Sequence, residues 1–245
     1  MTIAIDDAVA RVLARPASVL IPDTCNFLDL FRCDSKWPRV PTEEIEVCSD
    51  LRRGLGSRDD AAHFFVPELV PREFADNADK VQQDFHSWLE NHDFNQEWIA
   101  MAQIFVPDRF DARLFAPAVL SLRLHESLRN LAERLLAEAP AFERDRSALD
   151  RAVARSIAKR RPSHSKEIKD SMNLEQVLLF CSRLRAKGGT APVAFISSNT
   201  NDFAETRSST QLHPELRTEF NEASLEYFTS FRAAVGSLRA SGQMP

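Results

Sequence analysis

The sequence predicts an α/β fold with a mainly parallel central sheet. Short apolar segments at residues 18–22, 63–70 and 193–196 are rich in β-branched and aromatic side chains, as buried strands are. Segments with helical spacing of apolar residues lie between these strands and after the last of them. Strands that alternate with helices favour a parallel sheet, and 245 residues are enough for one domain with an elaboration.

The first part of the chain alternates between the two patterns. A short helix over residues 5–14 precedes the strand at residues 18–22, and another helix begins near Phe27. Thr42, followed by two glutamates, is typical of a helix N-terminus. The strand at residues 63–70 leads into a longer helix. The apolar face of that helix carries Val81, Phe85, Trp88 and Leu89.

From about residue 95 to residue 160 the chain is predicted to be helical throughout. Three apolar stripes mark these helices: Trp98 with Ile99; Leu120, Leu124, Leu128, Leu131 and Leu135 after Pro117; and Phe142, Leu149, Val153 and Ile157. Stripes of this kind are usually core faces. A surface for a coiled-coil partner is the alternative interpretation.

The last third of the chain contains a predicted helix, a strand and a further helix. The helix over residues 172–187 ends at two glycines, as helices often do. The strand at residues 193–196 then stops at a polar turn. A long amphipathic C-terminal helix over about residues 212–239 is expected to pack on the core. Its apolar residues are Leu216, Phe220, Tyr227, Phe231 and Leu238.

Composition and charge limit the classes of function. The net charge of -5 is unusual for a nucleic-acid-binding protein, so such binding would need a local basic patch. The four cysteines form no Cys-x-x-Cys pair, and the N-terminus lacks the features of a signal peptide. No apolar stretch approaches the roughly 20 residues that cross a bilayer. We therefore expect a cytoplasmic protein with free thiols.

Four acidic residues occupy positions where a site would form: Asp23, Glu73, Asp170 and Asp202. Asp23 and Asp202 follow predicted strands, Glu73 opens a helix, and Asp170 precedes one. Ligands of α/β proteins bind beyond the carboxyl ends of the strands. Carboxylates gathered there repel each other unless a cation lies between them, and Mg²⁺ prefers oxygen ligands. A cluster of this kind suggests hydrolysis of phosphodiester bonds.

Each acid also has a simpler interpretation. Asp23 is a candidate for an Asx turn that caps a helix. Asp170 and Asp202 are candidate helix caps, and glutamates like Glu73 are common at exposed helix starts. Spacing along the chain does not decide between these roles and a shared site.

Four segments together resemble the motifs of the PIN-domain family. Residues 21–26 resemble the first motif, an Asp-Thr pair after the first strand, and residues 67–74 resemble the second, a glutamate that opens a helix. Residues 169–175 resemble the third, and residues 194–203 resemble the fourth, which is the most specific. One departure is Cys25, which separates Asn26 from the Asp-Thr pair and leaves the role of Asn26 open.

The resemblance implies a three-layer α/β/α PIN-like fold and cleavage of RNA, or of structured DNA, with Mg²⁺ or Mn²⁺. The products would carry a 5′-phosphate and a 3′-hydroxyl. The implied metal ligands are Asp23, Asp170 and Asp202, with Glu73 as a ligand or as a residue that orients one. The implied supporting residues are Thr24, Asn199 and Glu175.

The resemblance also implies a division of the single domain over residues 1–245. The core covers about residues 18–80 and 165–207, a helical insertion covers about residues 82–162, and the C-terminal helix lies outside the matched core.

A basic stretch leads into Asp170. The candidate nucleic-acid-binding residues in it are Arg155, Lys159, Arg160, Arg161, Lys166 and Lys169. Binding to phosphates by such a stretch would depend on salt. A solvated helix face and loop is the alternative.

The sequence therefore predicts an endoribonuclease, with RNA as the substrate and Mg²⁺ or Mn²⁺ as the cofactor. A PIN-like RNA-binding or scaffold module with little or no activity is the main alternative, and a phosphatase or DNA nuclease with the same site is another. Three biological settings stay open: a toxin, a phage-defence effector and an RNA-processing enzyme. A toxin implies a neutralising protein partner, and a homo-oligomer is a further expectation.

Overall fold

The structure of the chain is a computed structural model that describes residues 1–34, 37–38, 41–54, 62–91, 101, 104–105, 123–162 and 168–244. The predicted helices around Trp98 and Pro117 lie outside these residues. The strands are β1 (Thr2–Ile3), β2 (Ser18–Pro22), β3 (Cys33–Asp34), β4 (Trp37–Pro38), β5 (Ala62–Phe64), β6 (Ala141–Phe142), β7 (Val193–Ile196) and β8 (Leu225–Phe228).

Ten helices have defined bounds within the described residues. They are α1 (Ile5–Ala14), α2 (Thr24–Asp29), α3 (Thr42–Gly54), α4 (Val70–Asn91), α5 (Leu124–Glu138), α6 (Arg146–Ile157), α7 (Lys169–Ala186), α8 (Thr200–Phe203), α9 (Pro214–Ala223) and α10 (Phe231–Ala240). None of the helices in the described ranges is long and apolar enough to cross a membrane.

A four-stranded parallel sheet lies at the centre, with the strand order β5-β2-β7-β8. The short strands β1 and β6 form a second parallel pair, and a parallel bridge from Val66 to Ala141 joins that pair to the edge of the central sheet. An antiparallel pair, β3 with β4, stands apart from both. The predicted mainly parallel sheet is confirmed.

Side chains of the central strands alternate between two cores, because successive residues of a strand point to opposite faces. Leu20 and Ile196 belong to the core formed with α2, α3, α4, α5 and α10. Val19 and Phe195 belong to the core formed with α1, α6, α7, α8 and α9. Helices therefore cover both faces of the sheet, and the three-layer α/β/α arrangement follows.

The prediction of one C-terminal helix over residues 212–239 is wrong. Ser224 has a left-handed backbone with φ 48°, and this conformation ends α9. The chain then pairs with β7 as the edge strand β8, which contains Tyr227, before the Ser230 side chain caps α10. Apolar residues at helical spacing therefore serve two helices and one strand.

Three other predictions need correction. Residues 95–160 are not helical throughout, because Phe142 lies in β6. Val153 and Ile157 of α6 are 39% and 78% exposed, so the predicted stripe is not the core face of that helix. The second predicted strand is also shorter than residues 63–70, because α4 begins at Val70.

Candidate functional site

The predicted acids lie at the carboxyl edge of the central sheet. The chain leaves β2 to form β5 on one side of it and later forms β7 on the other side. Strand order therefore reverses between β2 and β7, which is the place where α/β sheets bind ligands. Asp23 directly follows β2, and Asp202 lies in α8 just beyond β7.

Asp23 is 4% exposed and its carboxylate accepts hydrogen bonds on both oxygens. Its Oδ1 accepts from the Thr24 backbone N–H at 2.9 Å and from the Asn173 amide at 3.1 Å. Its Oδ2 accepts from the Ser197 hydroxyl at 3.0 Å and from the Cys25 thiol at 3.5 Å. Asp23 is also the N-cap of α2, so the capping role and the site role belong to the same carboxylate.

Glu73 is connected to Asp23 through Thr24. The Thr24 hydroxyl donates to Glu73 Oε2 at 2.8 Å, while the backbone N–H of the same residue donates to Asp23. The ammonium group of Lys169 lies 3.7 Å from Glu73 Oε1. Thr24 thus connects the first two predicted acids through its hydroxyl and its backbone N–H.

Asn199 connects the other two acids. Its side-chain amide donates to Asp202 Oδ2 at 2.7 Å and to Asp170 Oδ2 at 3.3 Å. Its backbone N–H donates to the Ser197 hydroxyl oxygen at 3.3 Å, and that hydroxyl contacts Asp23. Acids from four separate segments therefore share one hydrogen-bond network. Asp170 lies inside the first turn of α7 and does not precede that helix as its cap.

Burial makes this network electrostatically costly without a bound cation or proton. Burial raises the pKa of Asp23, and the hydrogen bonds that the carboxylate accepts offset only part of the rise. Burial also raises the pKa of Glu73, and the negative charge of Asp23 raises it further. Two desolvated carboxyl groups so close together favour the uptake of positive charge.

Two polar residues at the site were missing from the sequence prediction. Ser197 follows β7 directly, as Asp23 follows β2, so its position at a strand end was a usable signal. Asn173 lies three positions after Asp170 and therefore on the same side of α7. Asn26 also has a defined place, because its side chain accepts from Ser198 N at 3.2 Å and donates to the Thr229 carbonyl at 3.1 Å.

A divalent metal ion is consistent with the types of donor at this site. Among the described residues, no three His, Cys, Asp or Glu side chains form a group that could hold a metal ion alone. Mg²⁺, however, also accepts amide oxygens and keeps several water ligands. The Oδ1 atom of Asn173 is buried next to Asp23 and has no hydrogen-bond partner within the described part of the chain. An oxygen ligand of this kind suits Mg²⁺ or Mn²⁺.

Glu175 does not join the acids, contrary to the expected supporting role. Its Oε1 accepts from Arg155 Nε at 2.8 Å, and its Oε2 lies 3.2 Å from Arg151 Nε. Asp170 and Glu175 are both within α7, where a separation of five positions turns them to different sides.

Arg155 is 6% exposed, which does not fit its predicted role in nucleic-acid binding. Besides Glu175, its guanidinium contacts Glu219 Oε2 at 2.6 Å and the Arg161 carbonyl at 2.7 Å. The sequence places this arginine in a basic run. In the fold, however, its guanidinium on α6 forms ion pairs with Glu175 of α7 and Glu219 of α9.

The other members of the basic stretch have different surroundings. Lys159 is exposed with φ 52°, Arg160 pairs with Glu219, and Lys169 contacts Glu73. The guanidinium of Arg161 donates to the carbonyls of Asn201 and Asp202, at 2.7 Å and 3.2 Å. Lys166, with Ser163, His164 and Ser165, lies outside the described residues.

A cavity of about 480 Å³ opens beside Asp202. It is lined by Arg161, Thr200, Asn201, Asp202, Ala204, Glu205, Thr206 and Arg207. Two guanidinium groups, two hydroxyls and one member of the acid network therefore border the same space.

Comparisons with known proteins gave no match. No family model matches the chain, no curated protein matches it significantly, and no solved structure does so either. Membership of the PIN-domain family therefore stays a prediction that rests on the four motifs.

Proposed function

We propose that the protein is a metal-dependent endoribonuclease that hydrolyses phosphodiester bonds at the acid network. One observation carries the proposal: Asp23, Glu73, Asp170 and Asp202 come from four distant segments and meet at the carboxyl edge of the sheet. Separate helix caps would have no reason to share hydrogen-bond partners. Carboxylates that gather in this way are typical of divalent-metal sites.

Asp23, Asp170 and Asp202 would hold Mg²⁺ or Mn²⁺, directly or through water. Bound there, the ion would supply an activated water and stabilise negative charge on the phosphate. Glu73 would orient the site, because the hydroxyl of Thr24 fixes its carboxylate. Asn199 would keep Asp170 and Asp202 at a set separation, because one amide nitrogen donates to both.

The resemblance to the PIN-domain family implies the course of this reaction. The oxygen of a water molecule forms a bond to phosphorus, the bond from phosphorus to the 3′ oxygen breaks, and the 3′ oxygen takes up a proton. The products carry a 5′-phosphate and a 3′-hydroxyl, and the 2′-hydroxyl takes no part in the bond changes. The chemistry thus differs from cleavage in which the 2′-hydroxyl attacks.

The cavity beside Asp202 is the proposed path of the substrate backbone. Arg161 and Arg207 place two positive charges along it, although the whole chain has a net charge of -5. The side chain of Lys169 is 55% exposed and adds a further positive charge beside Glu73. Phosphates bound there would neutralise this charge and make affinity depend on salt.

Asp202→Asn is expected to reduce cleavage of single-stranded RNA by about 100-fold or more, because a metal ligand that supplies several kcal/mol is lost. The measurement compares the wild-type chain and the variant in Mg²⁺, in Mn²⁺ and in EDTA, with 5′-phosphate ends detected by ligation. Glu205→Gln is the matched control, since Glu205 lines the same cavity outside the acid network.

Two substrates sharpen this test. RNA with a single 2′-deoxy substitution at the cleaved position should still be cut, and an all-DNA strand should be cut more slowly. Absence of metal-dependent cleavage by the wild-type chain would overturn the proposal in favour of an RNA-binding or scaffold module. Equal rates for the wild-type chain and Asp202→Asn would also overturn it.

Arg207→Ala is expected to weaken RNA binding and to lower the slope of log affinity against log salt by about one, as for the loss of one phosphate contact. Binding is measured in EDTA by fluorescence anisotropy over a series of KCl concentrations. The matched control is Arg53→Ala, which removes an exposed guanidinium from α3 on the opposite face of the sheet. An unchanged slope for Arg207→Ala would remove this cavity from the proposed binding surface.

A further inference from the structure

The side chain of Asn173 lies in the interior of the protein beside the acid network. It projects from α7 and is 1% exposed. Its Nδ2 atom donates to Asp23 Oδ1 at 3.1 Å. This contact sets the orientation of the amide, because a carboxylate accepts hydrogen bonds and the amide nitrogen is the donor atom.

The oxygen of the same amide has no hydrogen-bond partner within the described part of the chain. Oδ1 of Asn173 is buried and accepts no hydrogen bond from the residues that the structure describes. Buried carbonyl oxygens are almost always paired, because an unpaired one has lost water and gained nothing in exchange. The amide oxygen of Asn173 is therefore available to accept a hydrogen bond or to bind a cation.

Three features limit what this oxygen can bind. The Asn173 amide lies next to Asp23, whose carboxylate is itself buried. It lies on the side of α7 that carries Asp170, three positions earlier. Its neighbours are rich in negative charge, with Glu73 joined to Asp23 through Thr24. An oxygen acceptor beside a buried carboxylate suits a cation or the water molecules bound to one.

We propose that Asn173 Oδ1 is a further, neutral ligand of the divalent cation held by Asp23 and Asp170, directly or through one of its water molecules. This inference rests on the function proposed above. A neutral ligand completes the coordination without adding negative charge, so the ion keeps more of its capacity to polarise a bound water. The amide nitrogen meanwhile holds Asp23 in place.

The first test measures binding of Mn²⁺ alone to the full chain, without substrate, from the electron paramagnetic resonance signal of free Mn²⁺. Asn173→Leu keeps the approximate size of the side chain and removes both polar atoms. We expect the dissociation constant for Mn²⁺ to rise about 10- to 100-fold, the usual effect of losing a group that supports a metal site.

Gln176→Leu is the matched control for this measurement. Gln176 is also a buried amide of α7, but it contacts the Glu68 backbone N–H and the Glu143 carbonyl. We expect this variant to bind Mn²⁺ as the wild-type chain does. The two variants remove the same chemical group from the same helix, so a difference between them reports on the position of Asn173.

A second variant keeps the inference testable if Asn173→Leu does not fold. Asn173→Asp retains an oxygen but places a second carboxylate against Asp23, so the metal-free variant should melt at a lower temperature. Mn²⁺ should then raise the melting temperature of Asn173→Asp by more than it raises that of the wild-type chain. A side chain at position 173 that lies out of reach of the ion would give the same rise in both proteins.

The outcomes separate the inference from the proposed function. If the wild-type chain binds Mn²⁺ and Asn173→Leu binds it equally well, the inference is overturned and the endoribonuclease proposal stands. An equal Mn²⁺-induced rise in melting temperature for Asn173→Asp and the wild-type chain leads to the same conclusion. If the wild-type chain binds no Mn²⁺ at all, both the inference and the proposed metal site fail.

Discussion

Asp23→Asn is expected to abolish most RNA cleavage and, in the absence of metal, to raise the melting temperature of the protein. Cleavage should fall by about 100-fold or more, because the ion loses its most buried carboxylate ligand. The melting temperature in EDTA should rise by about 2–4 °C, which corresponds to roughly 1 kcal/mol for a chain of this size. Function and stability therefore change in opposite directions.

The gain in stability has a structural reason. An asparagine at position 23 keeps an oxygen that accepts from the Thr24 N–H and from the Asn173 amide. Its nitrogen replaces the oxygen that accepts from Ser197, and the hydroxyl of Ser197 can rotate to accept instead. The side chain thus retains its contacts with Thr24, Asn173 and Ser197, and it loses a charge that burial disfavours.

The stability difference should depend on pH. Because burial raises the pKa of Asp23 above its ordinary value of 3.8, the folded protein binds this proton more tightly than the unfolded chain does. Stability from Asp23 is therefore complete at low pH and is lost as the pH rises through the folded-state pKa. The melting temperatures of Asp23→Asn and the wild-type chain in EDTA should converge at acidic pH and separate toward neutral pH.

Differential scanning calorimetry measures these melting temperatures, first in EDTA and then after Mg²⁺ is added back. Asp145→Asn is the control, since Asp145 caps α6 through backbone N–H groups outside the acid network. It should leave cleavage unchanged. If Asp23→Asn cleaves RNA at the wild-type rate, or if Mg²⁺ stabilises it as strongly as the wild-type chain, Asp23 is not a metal ligand.

Arg155→Met is expected to lower the free energy of unfolding by about 3–5 kcal/mol, the usual result of removing one partner from a buried ion pair. The side chains of Arg155 and Glu175 are 5% and 6% exposed, and that of Glu219 is 18% exposed. Burial alone would lower the pKa of Arg155, but the carboxylates of Glu219 and Glu175 raise it, so the guanidinium stays charged. Without it, two carboxylates would share a desolvated space.

Urea denaturation of two further variants isolates the cause of the expected loss. Arg151→Met removes a guanidinium that pairs with the same Glu175 but is 46% exposed, and it should cost at most about 1 kcal/mol. The double variant Arg155→Met with Glu175→Met should be more stable than Arg155→Met alone, because the unpaired buried carboxylate is also removed. A loss below about 1 kcal/mol for Arg155→Met would show that this cluster is not a stabilising element.

The comparison of Arg155 with Asp23 shows the limits of sequence patterns. Asp23 follows β2 as the sequence predicted, because its signal is local: a short apolar strand ends and a polar residue follows. Arg155 belongs to a basic run that is typical of a phosphate-binding surface, yet its side chain faces inward on α6 together with Ala148 and Ala152. The direction of a helical side chain depends on what the helix packs against, and the carboxylates that pair with Arg155 lie 20 and 64 positions away on other helices.

Strand β8 shows the same limit within the backbone. Its residues have the spacing of a helix face, and no glycine or proline separates them from α9. The left-handed residue Ser224 and the hydrogen bonds to β7 turn them into the edge strand of the sheet. An edge strand depends on a partner more than on its own pattern, because all of its ladder hydrogen bonds come from that one neighbouring strand.

By itself, the sequence determined the fold class, the strands β2 and β7, the helices α4 and α7 between them, and the positions of Asp23 and Asp202 at strand ends. These features follow from the periodicity of apolar residues and from the chemistry of strand ends, both of which act over a few residues. The tertiary structure alone decided that β8 is a strand and that the side chains of Arg155 and Glu175 face inward. It also brought Asp23 into contact with Asn173, 150 positions away, and with Ser197, 174 positions away. Such contacts depend on the order of the strands and the packing of helices on the sheet, because these bring distant residues to one edge.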